Sequence, residues 1–120
     1  SVFYIVYMSP ALSDYNHVTN YSAADKALGD RRTKTIGNNT ELVRKSGGDI
    51  AVELHGNEVV RFYGGGEVGL SSAGYRTSTT KDRLNRYTPR GVNVVQRKGT
   101  WYLKRNGSKT EFRDGMTIRV

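Results

Sequence analysis

Three side chains with complementary chemistry lie within nine residues of one another: Glu53, His55 and Arg61. A glutamate base, a histidine acid and an arginine that neutralises a phosphorane are the groups that metal-independent cleavage of RNA needs. They would share one face of a sheet if Glu53 lay directly across from Arg61 on the neighbouring strand. The simpler interpretation, which we favour, is an exposed cross-strand ion pair beside a histidine that ends a strand.

A second group of residues has the chemistry to bind a polyanion. Ten lysines and arginines fall between residues 76 and 109, where only Asp82 opposes them, whereas residues 1–30 carry a net charge of −2. Arginine and lysine neutralise phosphates, asparagine can read an adenine edge, and tyrosine can stack on unpaired bases. An acidic protein would be attracted by the same charge. The predicted contact residues are Tyr75, Arg76, Lys81, Arg83, Asn85, Arg86, Arg90, Arg97, Lys98, Lys104 and Arg105.

Metal and cofactor chemistry have little support in the sequence. The chain has no cysteine, and its two histidines, His17 and His55, lie in different segments without the spacing of metal ligands. The glycines at 64–66 lack the Lys-Ser/Thr ending of a phosphate-binding loop, so we interpret them as a tight turn. We therefore expect no metal and no cofactor.

The size and hydropathy of the chain limit its organisation. A chain of 120 residues has the usual size of one domain, so we expect residues 1–120 to form a single domain. The longest apolar run, residues 2–8, is too short to cross a bilayer and lacks the flanking features of a signal peptide. We expect no membrane contact, and the absence of cysteine is compatible with the cytoplasm.

The first candidate site depends on the register of a predicted β-meander. Apolar and polar residues alternate from 50 to 55. Three-residue loops at 56–58 and 64–66 would pair His55 with Val59 and Phe62 with Val68, which keeps the large aliphatic residues on one face. The same register places Glu53 across from Arg61.

The basic segment is predicted to form a short helix followed by a second meander. Residues 78–87 favour a helix of two to three turns that begins with Thr79 and Asp82 as a capping pair. The pairs Lys98-Gly99, Asn106-Gly107 and Asp114-Gly115 are hairpin signals. They separate strands near 92–97, 100–105, 108–113 and 116–120. Pairing across the first two hairpins would place on one face Val94, Trp101, Leu103 and Phe112.

The N-terminal third adds a predicted strand at residues 2–7 and a short helix at 22–28, whereas residues 30–40 favour a loop. The predicted fold class is α+β and mainly antiparallel β. It has two β-meanders separated by a short basic helix, with an N-terminal strand and helix. The meanders could stack as a sandwich or close as a small barrel.

Residues 37–85 resemble an uncharacterised family of small proteins encoded by bacteriophages. The similar segments are residues 37–40 (GNNT), 50–55 (IAVELH) and 74–85 (GYRTSTTKDRLN), with a weaker similarity at 99–102. The chain departs from the family pattern at Asn57 and Glu58, where Thr and Asp are expected. The resemblance implies a phage origin, and with it the cytoplasm of the infected bacterial host, but no catalytic activity.

The function that the sequence favours is the binding of DNA or RNA, without catalysis, by a small basic phage protein. One alternative is an RNA-cleaving enzyme that uses Glu53, His55 and Arg61. Another is a phage inhibitor that binds an acidic host protein.

Overall fold

The computed structural model describes residues 11–119, so the strand predicted at residues 2–7 lies outside the described part of the chain. A 3-10 turn at Leu12–Tyr15 precedes two helices and nine strands. The helices are α1 (Tyr21–Leu28) and α2 (Ser78–Arg86). The strands are β1 (Thr33–Gly37), β2 (Thr40–Arg44), β3 (Ile50–Leu54), β4 (Asn57–Phe62), β5 (Glu67–Leu70), β6 (Val92–Arg97), β7 (Thr100–Arg105), β8 (Ser108–Glu111) and β9 (Met116–Arg119).

The described strands form two antiparallel sheets and no closed barrel. The large sheet has the strand order β1-β2-β3-β4-β5-β9, and the small sheet has the order β6-β7-β8. Buried residues of both sheets and both helices belong to one hydrophobic core, in which Trp101, Tyr87 and Phe62 are the largest fully buried side chains. The predicted fold class, mainly antiparallel β with two helices, is confirmed.

The loop predicted at residues 30–40 is wrong, because β1 and the start of β2 lie there. β1 is an edge strand that buries one large apolar side chain, Ile36. A single apolar residue gives no periodicity that could mark the strand in the sequence. The strand exists because β2 pairs with it, from Thr33 opposite Val43 to Gly37 opposite Thr40.

The turn between β3 and β4 is shorter than the sequence suggested. Leu54 pairs with Asn57, so the turn contains only His55 and Gly56, with φ of 52° and 79°. Two consecutive left-handed residues are typical of the tight hairpin turn that matches strand twist. The predicted three-residue loop, with His55 opposite Val59, is therefore wrong. A register shift beyond Val52 still leaves the aliphatic residues buried.

The chain leaves the small sheet after β8. The loop at 64–66 pairs Phe62 with Val68, as predicted, and β5 continues the large sheet. The predicted hairpin at Asp114-Gly115 is wrong, because β9 pairs with β5 in the large sheet. Asp114 fixes this crossover, since its carboxylate accepts hydrogen bonds from the Ser72 amide at 2.7 Å and hydroxyl at 2.8 Å.

Helix α2 lies between the two sheets and contacts β4 and β6. Its N-cap is Thr77, whose hydroxyl accepts a hydrogen bond from the Thr80 amide, so the predicted capping pair at Thr79 and Asp82 is wrong. The predicted length and apolar edge are confirmed: the helix has nine residues, and Leu84 and the following Tyr87 are fully buried.

Candidate nucleic-acid interface

The geometry proposed for catalysis is not formed. Glu53 lies opposite Glu58, and Arg61 lies opposite Ala51. The prediction that Glu53 lies across from Arg61 is wrong, because the two-residue turn and the register shift move β4 along β3.

Glu53 and Arg61 instead belong to a network of ion pairs on the large sheet. The Lys45 ammonium contacts the Glu53 carboxylate and lies 3.7 Å from that of Glu58. The Arg61 guanidinium lies 3.1 Å from Glu58 and 3.3 Å from Asp49. We call Lys45, Asp49, Glu53, Glu58 and Arg61 the paired cluster. The Glu53 carboxylate is thus engaged by Lys45 within the protein.

His55 lies apart from the paired cluster. Its side chain is exposed on the β3–β4 turn and lines a cavity together with Leu54, Tyr75 and Thr79. Neither Glu53 nor Arg61 lines that cavity. The three residues of the predicted catalytic group therefore do not converge on one space.

Arg83 is the most deeply buried of the predicted contact residues. It is 6% exposed, and its Nε donates to the Thr40 hydroxyl at 2.8 Å. Its other nitrogens donate to the Asn38 carbonyl at 3.3 Å and the Asp82 carboxylate at 2.5 Å. Arg83 thus fastens α2 to the β1–β2 turn.

Asn85 and Arg86 are also engaged within the protein. The Asn85 side-chain amide donates to the Val94 carbonyl at 3.0 Å and accepts from the Val94 amide at 2.7 Å. Both backbone hydrogen-bonding groups of Val94 in β6 are thereby satisfied. Arg86 donates to Asp82 at 2.8 Å. Arg90 is exposed beside Arg86, in a groove of about 500 Å³.

Arg76 and Lys81 cover aromatic rings of the core. The Arg76 guanidinium lies 5.0 Å from the centre of the Trp101 ring and 4.9 Å from that of Phe112, within the range of cation–π attraction. The Lys81 ammonium lies 5.8 Å from Trp101 and donates to Gln96 at 3.2 Å. Both cations therefore lie on the side of the small sheet that packs against the core.

The opposite side of the small sheet faces outward. Val94 pairs with Leu103, and both are buried, so the residues that alternate with them point away from the core. Lys104 lies between Asn93 and Lys109 in the strand pairing. We call this surface the outer face. It comprises Asn93, Val95, Arg97, Thr100, Tyr102, Lys104, Lys109 and Glu111.

Tyr102 lies at the centre of the outer face, on the middle strand, between Val95 and Glu111. The Lys109 ammonium lies 4.3 Å from the centre of its ring. Among the ion pairs between described residues, none involves Arg97, Lys104 or Lys109.

The remaining predicted cations lie at or near the hairpin turns of the small sheet. Lys98 is exposed in the β6–β7 turn, with a φ of 51°. The Arg105 guanidinium donates to the Arg119 carbonyl, so it contacts the end of the large sheet.

Within the described part of the chain, the pKa values of Tyr87 and Arg44 are shifted. Burial raises the pKa of the Tyr87 hydroxyl above its usual value. The hydrogen bond to Asp25, at 2.7 Å, raises the pKa of Arg44. Neither group lies on the outer face.

Two kinds of feature are absent from residues 11–119. No group of three or more potential ligands is arranged to hold a metal ion. No helix in this range is long and apolar enough to span a membrane.

Comparison with known proteins identifies a family for most of the chain. Residues 21–119 match the Kyanoviridae Gp96 protein family, from the start of α1 to the end of β9. The chain belongs to this phage protein family. The predicted resemblance to a phage family is thus confirmed, and it extends on both sides of residues 37–85. No curated protein and no solved structure matches this Gp96-family chain.

Sequence reasoning selected two of the eight residues of the outer face, Arg97 and Lys104. Among those it missed are Asn93, Tyr102 and Lys109, whose side chains have the chemistry to contact a nucleic acid. The signal was present, since Val94, Leu103 and Trp101 were predicted to share a face and their neighbours must then point outward. The density of charge in the sequence instead favoured α2. Most of the cations of that helix are buried or engaged in contacts within the protein.

Proposed function

We propose that this phage protein binds DNA or RNA through the outer face of the small sheet and does so without catalysis. One observation carries the proposal. Arg97, Lys104 and Lys109 surround Tyr102 on an exposed sheet face whose single acidic residue is Glu111.

The outer face has the two chemical components of a single-strand platform. Lysine and arginine attract phosphates, and a tyrosine ring gives every base a surface on which to stack. Several RNA-binding modules use an antiparallel sheet with aromatic residues on its open face in this way. Bases inside a duplex cannot stack on such a ring, so we expect single strands to bind more tightly than duplexes.

The residues that the charge pattern selected differ in whether they could contact a strand bound on the outer face. Arg97, Lys98 and Lys104 belong to the outer face or its rim, and Asn93, Tyr102 and Lys109 join them. Arg76 and Lys81 lie on the opposite side of the small sheet and would not contact the same strand segment. Arg83 is excluded from direct contact by its burial.

The alternatives from the sequence have weaker support. Cleavage of RNA by Glu53, His55 and Arg61 would require the three side chains to converge, but Glu53 and Arg61 are engaged in the paired cluster and His55 lies outside it. An acidic host protein could bind the same cations, but that partner would not require a stacking ring. Tyr102 therefore separates this alternative from nucleic-acid binding.

The test is a binding titration with single-stranded DNA, single-stranded RNA and duplex DNA. Replacement of Tyr102 by leucine should weaken single-strand binding by about 1–3 kcal/mol, the usual contribution of one stacked base. Tyr102→Phe keeps the ring and should bind almost as the wild type does. The control is Tyr63→Leu, which removes the ring that lies 5.5 Å from Arg61 in the paired cluster. Absence of binding to every nucleic acid at low salt would refute the proposal.

A further inference from the structure

A cavity of about 470 Å³ lies between the β3–β4 turn and residues 72–80. This volume is within the usual range for small-molecule sites. Leu54 and Val59 contribute apolar surface, and His55, Asn57, Tyr75 and Thr79 contribute polar or aromatic groups. The described lining residues include no acidic residue, lysine or arginine, so this surface suits a neutral ligand.

An aromatic ring is held at this cavity. Tyr75 is 58% exposed, and among the side chains whose burial the structure describes it is the one large exposed hydrophobic residue. A tight turn fixes its backbone, because its amide donates to the Ser72 carbonyl at 2.8 Å while Ala73 and Gly74 adopt left-handed φ values of 53° and 85°. The next residue, Arg76, is anchored over two core rings. Because this backbone is already ordered, stacking of a ligand on Tyr75 would cost little conformational entropy.

The cavity also presents polar groups that form few or no hydrogen bonds with the described residues. The hydroxyls of Thr77 and Thr80 contact each other, and Ser72 bonds to Asp114. By contrast, neither the His55 ring nor the Thr79 hydroxyl has a hydrogen bond to a described residue. Asn57 makes only a long one, 3.4 Å, from its amide to the His55 carbonyl. An asparagine amide carries both a donor and an acceptor, which match the edge of a base.

We propose that this cavity binds one nucleobase, stacked on Tyr75 and hydrogen-bonded along its edge by Asn57, Thr79 and His55. The base could belong to a free nucleoside or to an unpaired position of a strand, since both present the same ring. The cavity shares no residue with the outer face, so this site does not depend on the function proposed above.

The experiment is an NMR titration of the full chain, observed through its backbone amides. The probes are adenosine, guanosine, cytidine and uridine, and then a single-stranded oligonucleotide. We expect shifts at Asn57, Tyr75 and Thr79. Tyr75→Leu should weaken binding at these positions about tenfold, whereas Tyr75→Phe should leave it within about twofold.

A second variant fills the space. Thr79 is exposed on α2, so Thr79→Phe should occupy the cavity without disturbing the core, and shifts at Asn57 should vanish. Tyr63→Leu, whose ring does not line the cavity, is the matched control and should leave cavity binding unchanged. The amide spectrum of each variant shows directly whether it is folded.

Each outcome decides a point. Shifts with nucleosides alone identify a free nucleoside as sufficient, and shifts only with the oligonucleotide identify a strand as the source of the base. The inference is overturned if no probe shifts the cavity amides. It is equally overturned if both Tyr75→Leu and Thr79→Phe bind as the wild type does.

Discussion

The paired cluster and the outer face are both sheet surfaces that carry cations, but their charges are arranged in opposite ways. In the paired cluster, Lys45 and Arg61 meet three carboxylates at 3.7 Å or less. On the outer face, Arg97, Lys104 and Lys109 share the surface with one glutamate. The cations of the cluster pair with carboxylates of the same sheet and its turns, whereas Arg97, Lys104 and Lys109 form no ion pair with a described residue.

Helix α2 resembles the paired cluster, because its cations are engaged within the protein. Its cations contribute to the charge density of the sequence, yet Arg83 is buried and Arg86 contacts Asp82. What makes a cation available for binding is the set of residues that the fold places beside it. The density of charge along the sequence does not show which residues those neighbours are.

The largest effect should come from Arg83. Arg83→Ala removes charge-assisted hydrogen bonds from a buried position and should lower the free energy of unfolding by about 2–3 kcal/mol. Lys104→Ala, on the outer face, should change it by no more than about 0.5 kcal/mol. Urea denaturation of both variants measures the difference. Equal stabilities would contradict the assignment of Arg83 as an internal anchor.

A smaller effect on stability should come from Tyr87. Unlike Arg83, it carries a buried polar group that has no hydrogen-bond partner among the described residues. Its hydroxyl makes no hydrogen bond within the described part of the chain. Tyr87→Phe removes this group and should raise the free energy of unfolding at neutral pH by about 1 kcal/mol. A destabilised variant would mean that the hydroxyl is satisfied after all.

The same residue predicts a dependence on alkaline pH. Because burial raises the pKa of Tyr87, the folded state keeps its proton at a pH where the unfolded state has lost it. The contribution of this group to stability is therefore complete below the ordinary tyrosine pKa of about 10 and declines as the pH rises above it. Between neutral pH and pH ~10.5, the wild type should lose more stability than Tyr87→Phe. Parallel losses in urea denaturation would contradict this.

The smallest effect should come from the paired cluster. Arg61→Ala leaves Asp49 and Glu58 without their guanidinium partner, but the side chains are partly exposed. We expect a loss of about 0.5–1 kcal/mol in stability and no change in single-strand affinity. A marked loss of affinity in titration would show that the cluster, too, contributes to binding.

The parts of the fold that the sequence predicted correctly are those determined by local signals. Gly99 and Gly107 follow left-handed residues in two-residue turns, and alternation placed Trp101 and Leu103 inward. The errors involve competition between distant partners. β9 pairs with β5 because Asp114 and Gly115 form hydrogen bonds with residues 70–72. No local sequence pattern predicts this pairing.

The candidate site was predicted only in part, for the same reason. Lys104 and Arg97 were selected by charge, and the structure places them on one face with Tyr102. The position of Glu53 relative to Arg61 depended on the turn at His55, where a difference of one residue in turn length alters every pairing across two strands. Burial of Arg83 depended on Thr40, which lies 43 residues away in the chain.

The most direct test of the account is the salt dependence of single-strand binding. Each phosphate contact contributes about −0.7 to the slope of log affinity against log salt. The triple variant R97A/K104A/K109A should therefore flatten the slope by about two units. The control is K26A/R31A/R32A, which removes three exposed cations far along the chain from the small sheet and should leave the slope almost unchanged. Equal flattening in the two triple variants would contradict the account, because it would mean that binding follows total charge and not the outer face.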